Sequence, residues 1–189
     1  MAANDIARVY ASSLVEIGQE KNILDQLAEE VQFLSELFIS DSDFRLFLTS
    51  PGMAKEAKKD FIKKIFTGKL SEHIINFMNL LIENDRMSFL GKIYEALRSI
   101  ADDVLKRKRV TVVTRFDLDE ATYATIKTSL KEKYKKEIII TQEIDENILG
   151  GIIIKMDDIV IDGSLARDLK NIRKNLLISK VRSDVAYED

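Results

Sequence analysis

The stretch KRKRVTVVTRF, residues 106–116, is where the character of the chain changes. Val110 and Val112, with Arg115 and Phe116 extending the run, make a β-branched, strand-like segment of the kind that suits a pleated, half-buried surface. Before it, apolar residues recur at helical spacing; after it, strand and helix patterns alternate. The fold class implied is α+β: an N-terminal six-helix bundle over residues 1–106, followed by a small α/β C-terminal domain over 107–189.

Working upstream, Asn4 or Asp5 is placed to cap a first helix with Ile6, Val9, Tyr10, Leu14 and Ile17 on one face and Gly18 near its end. A second helix, from Asn22 onward, carries Ile23, Leu27, Val31, Leu34 and Phe38. A short third holds Phe44, Phe47 and Leu48 and is stopped by Pro51. In the fourth, AKEAKKDFIKKIF, the expected inward residues are Ala57, Phe61 and Ile65, with the lysines outward. The fifth, capped by Ser71, is apolar nearly all round through Ile74, Ile75, Phe77, Met78, Leu80, Leu81 and Ile82. Such a helix is buried on more than one side, by a core alone or by a core and a partner. The sixth, over 86–107, is amphipathic through Leu90, Ile93, Tyr94, Leu97, Ala101 and Val104.

Downstream, a helix over 119–135 precedes the strand EIIITQEI, and residues 151–162 form a hairpin turning at Asp157-Asp158. Ser164 caps a last helix whose apolar residues, Leu165, Leu169, Ile172 and Leu176, either pack on the sheet or receive another chain, mostly packing being expected. The tail VRSDVAYED is polar and expected to fray.

Composition narrows the function. A net charge of −3 gives no global pull toward nucleic acid or anionic lipid. No cysteine is present, which excludes a disulfide framework and thiolate chemistry. No apolar run is long enough to span a bilayer, and the first residues lack the basic and apolar regions of a secretory signal.

The residues that resemble chemical sites fail on context. Gly150-Gly151 leads into a strand, whereas a phosphate loop must lead into a helix. FTGKL has Lys63 and Leu70 where a nucleotide loop needs Gly and a hydroxyl. Asp157-Asp158 lacks the spaced carboxylates of a calcium loop and reads as a turn. His73, the single histidine, has no second nitrogen or sulfur ligand to share a metal. Three basic clusters, around Lys55–Lys64, Lys106–Arg109 and Lys131–Lys136, sit among acids and without a stacking motif. The reading from residues alone is an interaction protein without catalytic residues, cofactor or metal. The alternative is a helical nucleic-acid-binding protein using the basic junction 105–109.

Four segments, taken in order, carry a family likeness: ARVYASSL (7–14), SPGMAKEAKKDFIKKIF (50–66), NFMNLLIENDRMSFLGKI (76–93) and DENILGGIIIKMDDIVIDGSLARDLKNI (145–172). Together they resemble the delta subunit of rotary ATP synthases, the oligomycin-sensitivity-conferring protein family, over essentially the whole chain. The resemblance implies a non-catalytic stator subunit whose bundle receives the N-terminal segment of an alpha subunit and whose C-terminal domain holds the b subunits of the peripheral stalk. It implies no nucleic acid, membrane contact only through the complex, and a monomer when isolated. It also implies an address on the cytoplasmic side of the cell membrane. With Met1 in place and no transit-like leader, a bacterial protein is expected. Ala7, Tyr10, Ala11 and Leu14, with Asn76, Phe77, Leu80, Leu81 and Asn84, match the helices that form the family's alpha-binding groove, Ala7 and Ala11 keeping the first one slim. Glu83 and Arg86 belong to the same motif, while Val9 and Ser13 depart from it. Gly150, Gly151, Asp162, Gly163 and Ser164 match the C-terminal signature, which marks a fold.

Overall fold

The computed structural model describes residues 3–157 and 159–174. The chain divides into two compact units, Met1–Leu105 and Lys106–Asp189.

The first unit is helical: α1 (Ala3–Lys21), α2 (Leu24–Ser40), α3 (Ser42–Thr49), α4 (Lys55–Phe66), α5 (Glu72–Glu83) and α6 (Leu90–Val104), with a single 3-10 turn, Met87–Phe89, leading into α6. That turn takes the place of the expected first turn of the sixth helix. Asn4 and Asp5 lie inside α1 and so are not its cap. Asn22 ends α1 in the left-handed conformation, and the N–H of Ile23 closes back on the Gly18 carbonyl at 2.9 Å. Asp41 caps α3 through the N–H groups of Asp43 and Phe44, and the Ser71 hydroxyl caps α5 through Ile74. The core gathers Leu14, Leu27, Leu34, Ile62, Met78, Leu81, Ile93 and Leu97 with their neighbours into one cluster.

Two helices are rotated from their sequence-based phase. On α1 the buried stripe is Ala7, Ala11, Leu14, Val15 and Gly18, while Val9 is exposed. Small residues win the contact face because α1 lies close on α6 and α2; a Cβ on Gly18 would stand 2.8 Å from the Leu24 Cα. On α4 the buried residues are Lys58, Ile62 and Phe66, with Phe61 half-buried and Ala57 and Ile65 exposed. Lys58 is therefore inward, its stem in the core and its ammonium donating to the Ser50 carbonyl at 2.7 Å.

The second unit is a four-stranded mixed sheet with one helix on it: β1 (Arg107–Thr114), α7 (Glu120–Tyr134), β2 (Glu137–Ile144), β3 (Gly151–Met156) and β4 (Ile159–Ser164). The strand order is β2-β1-β3-β4, with β1 and β2 parallel across the α7 crossover and the other pairs antiparallel. Asp119 caps α7. Ile126 and Leu130 of α7 pack on Val110, Val112, Ile138 and Met156 of the sheet. Residues 165–174 are helical, the N–H of Arg167 reaching the Ser164 hydroxyl at 3.3 Å. Leu165, Leu169 and Ile172 on this final helix are exposed, which corrects the expectation that they pack on the sheet. Leu176 and the polar tail 181–189 lie outside the described residues.

Candidate functional site

The two helices of the proposed groove divide their residues unequally. Along α5 the buried set is Ile74, Phe77, Met78, Leu81 and Ile82, one stripe at spacings of three and four. Asn76, Leu80 and Asn84 fall on the exposed side. Leu80 is 50% exposed and Leu81 0%, though they are neighbours in sequence. Ala7, Ala11, Leu14, Phe77 and Leu81 are thus core, and Ala7 lines a shallow cleft with Ala96 and Ile100 of α6. Its small size serves a helix of the same unit.

α1 meets α5 through side chains. The Tyr10 ring packs edge-on against Phe77 with centroids 6.2 Å apart. The Arg86 guanidinium lies 5.6 Å from the Tyr10 ring centroid, and Nη1 donates to the Tyr10 hydroxyl at 3.1 Å. Tyr10 and Arg86 remain half-buried. This is a bridged seam with an aromatic floor, bordered by the exposed Leu80. Asn84 ends α5, its side-chain amide donating to the Leu80 carbonyl at 2.8 Å. At the other end of α5 the Lys21 Nζ lies 3.2 Å from His73 Nε2, so the lone histidine ties α5 to the end of α1.

The C-terminal signature is one structural piece. Gly151 pairs with Ser164 and Ile152 with Gly163, so the start of β3 lies beside the end of β4. Gly151 has φ +82°, and a Cβ there would stand 2.3 Å from the Gly163 carbonyl oxygen. The Gly150 carbonyl accepts from the Leu165 N–H at 3.0 Å, and Asp162 accepts from the Ser164 N–H at 2.9 Å. The set fixes where the final helix leaves the sheet.

Hydrogen bonds from Ser164 hold the Asp162 carboxyl below its ordinary range. Those from Thr122 and Asn147 do the same for Asp119 and Asp145. A carboxylate with a depressed folded-state pKa contributes stability above its ordinary value, and that contribution is lost as pH falls through the folded value. The second unit is therefore expected to weaken in acid, below pH 4. Urea titrations at pH 7 and pH 3 should show a smaller loss for Asp162→Asn than for the wild type.

Two of the three basic clusters hold ion pairs with acids. Lys108 pairs with Asp157 at 2.7 Å and Arg107 with Glu137 at 3.6 Å, while Lys55 pairs with Asp85 at 2.8 Å and Lys59 with Glu83. At the junction that the nucleic-acid reading needed, Arg107 and Lys108 are engaged within the protein, as is the Asp157 carboxylate of the acidic turn; Asp158 lies outside the described residues. Gly68 of FTGKL, at φ +80°, shapes the turn from α4 to α5. Among the described residues no group of three or more His, Cys, Asp or Glu is placed to hold a metal, and no helix is long and apolar enough to cross a membrane.

The chain is a two-unit protein, one unit helical and the other a small α/β unit, each with apolar side chains exposed outside its core. Residues 6–176 match the model of a family described as ATP synthase delta (OSCP) subunit. The ATP synthase subunit delta of Leptospira biflexa is 33% identical over 181 residues, 96% of this chain and 97% of the relative. That of Geotalea uraniireducens is 33% identical over 175 residues, 92% and 97% of the two chains. In fold, the chain is similar to one in the cryo-EM structure of the Toxoplasma gondii mitochondrial ATP synthase hexamer. The TM-score is 0.64 at 20% identity, covering 90% of this chain and 97% of that one. The chain belongs to the ATP synthase delta (OSCP) subunit family. Membership makes it a structural, non-catalytic subunit of that enzyme's stator.

Proposed function

We propose that the chain is the two-ended clamp of the stator. The six-helix bundle takes the N-terminal segment of an alpha subunit at the catalytic head, and the C-terminal unit holds the b subunits of the peripheral stalk. Rotor torque is thereby resisted, and proton or sodium flow stays coupled to ATP synthesis. The complex holds the chain on the cytoplasmic side of a bacterial cell membrane, which it touches only through other subunits; alone it is a monomer.

The observation that carries the upper half of this reading is the seam between α1 and α5. Tyr10, Phe77 and Arg86 bridge it while Leu80 stays half-exposed beside them. An amphipathic helix laid along such a seam buries its apolar residues on Leu80 and the Tyr10 ring, a helix-in-groove contact. The core residues Ala7, Ala11, Leu14, Phe77 and Leu81 act indirectly, by fixing where those surface groups stand.

Titrating the full-length protein with a peptide of the alpha N-terminal segment tests it. Saturable binding is expected at about micromolar affinity or tighter, roughly −8 kcal/mol. Leu80→Asp should weaken it by about tenfold or more at unchanged melting temperature, because an unpaired carboxylate is costly in an apolar contact. Unchanged affinity in that variant would move the site off α5, and no binding by the folded wild type would remove this partner.

A further inference from the structure

Arg86 carries a charge that the protein answers only in part. Its guanidinium is half-buried at the seam between α1 and α5, against the Tyr10 ring and with Nη1 on the Tyr10 hydroxyl. That partner is neutral. The nearest acids in sequence turn the other way, Glu83 pairing with Lys59 and Asp85 with Lys55, both on α4. Among the described residues no carboxylate pairs with Arg86. A cation taken partly out of water without an opposite charge leaves an electrostatic demand that an incoming anion can meet.

The backbone holds this group in place. α5 ends with Asp85 in the left-handed conformation at φ 55°, and the Arg86 N–H closes back on the Leu81 carbonyl at 2.8 Å. The Arg86 carbonyl accepts from the Phe89 N–H at 3.0 Å, which starts the 3-10 turn. Lys55 Nζ donates to the Glu83 carbonyl at 2.6 Å, so α4 ties down the same end of α5. A guanidinium fixed through its backbone on both sides, with one donor on an aromatic hydroxyl, has little freedom left to lose when its other donors are engaged.

We infer that Arg86 is a carboxylate-binding residue of the seam, pairing with an Asp or Glu side chain of the amphipathic helix that lies on Leu80 and Tyr10. This role rests on the alpha-segment half of the clamp reading and adds a charged contact to an otherwise apolar one. The planar fork of the guanidinium matches a carboxylate with two parallel hydrogen bonds. Because the contact stands at the C-terminal end of α5, it sets the register and direction of the bound helix.

The test is calorimetric titration of full-length wild type and Arg86→Gln with the alpha N-terminal peptide, and with versions in which each Asp or Glu is replaced singly by Asn or Gln. For one of those acids, replacement should weaken wild-type binding by about tenfold or more, Arg86→Gln should weaken binding of the unaltered peptide to the same extent, and the two changes together should cost no more than either alone. Arg86→Lys should recover part of the affinity, because it keeps the charge without the fork. It also supports the same cycle, with a smaller coupling, should the glutamine variant not fold. If Arg86 serves only to hold Tyr10, its replacement lowers affinity for every peptide by one factor; that result overturns the carboxylate contact and leaves the clamp reading standing, as does full affinity in Arg86→Gln. Failure of the folded wild type to bind the unaltered peptide defeats the alpha half of the clamp reading and the Arg86 contact with it.

Discussion

Leu81→Asp is expected to unfold the helical unit at room temperature or bring it to the edge of unfolding. Leu81 is 0% exposed, in the cluster that holds Met78, Ile93 and Leu97. Removing a buried leucine side chain costs about 2–5 kcal/mol before any charge is considered. A carboxylate in its place must stay ionised without a partner or take up a proton, and either route adds further cost. Together these reach the whole stability of an ordinary domain, about 5–15 kcal/mol. The measurement is the helical circular dichroism signal followed through a thermal melt. Leu80→Asp, one residue away, should melt like the wild type because its side chain already meets solvent. Equal melts for both variants would show that α5 does not turn Leu81 inward.

That contrast separates what was legible in the sequence from what was not. The change of period at residues 106–116 was legible because a β-branched run and a helical stripe obey different spacings, and β1 begins at Arg107. Caps at Ser71 and Ser164 were legible because each bonds an N–H three residues on, a local event. The phase of α4 was not. Lys58 faces inward only because the Ser50 carbonyl stands ready at the end of α3, a partner the local spacing does not reveal. On α1, size misled: Val9 is the larger hydrophobe, but Ala7 and Ala11 occupy the face where helices approach closely.

The groove residues show the same limit. Where a helix is apolar nearly all round, periodicity cannot tell Leu80 from Leu81, and only the packing of neighbours decides which faces out. The final helix poses the reverse case. Its amphipathic pattern was plain, but an apolar stripe reads alike whether it lies on its own sheet or awaits another chain.

Gly151→Val is expected to cost the second unit about as much as a large core deletion, several kcal/mol, because two penalties coincide there. The backbone at Gly151 has φ +82°, a conformation that a β-branched residue adopts only under strain. A Cβ at this position would also stand 2.3 Å from the Gly163 carbonyl oxygen and 3.0 Å from the Ser164 Cα. Both are backbone atoms, so relief requires β3 and β4 to separate where they pair Gly151 with Ser164. Opening that pair displaces Ser164 from the N–H of Arg167 and Leu165 from the Gly150 carbonyl, which together start the final helix. The variant should therefore lose amide-exchange protection first in β3, β4 and residues 165–174, while α1–α6 keep theirs. Protection unchanged in the sheet would mean that β3 tolerates a side chain there.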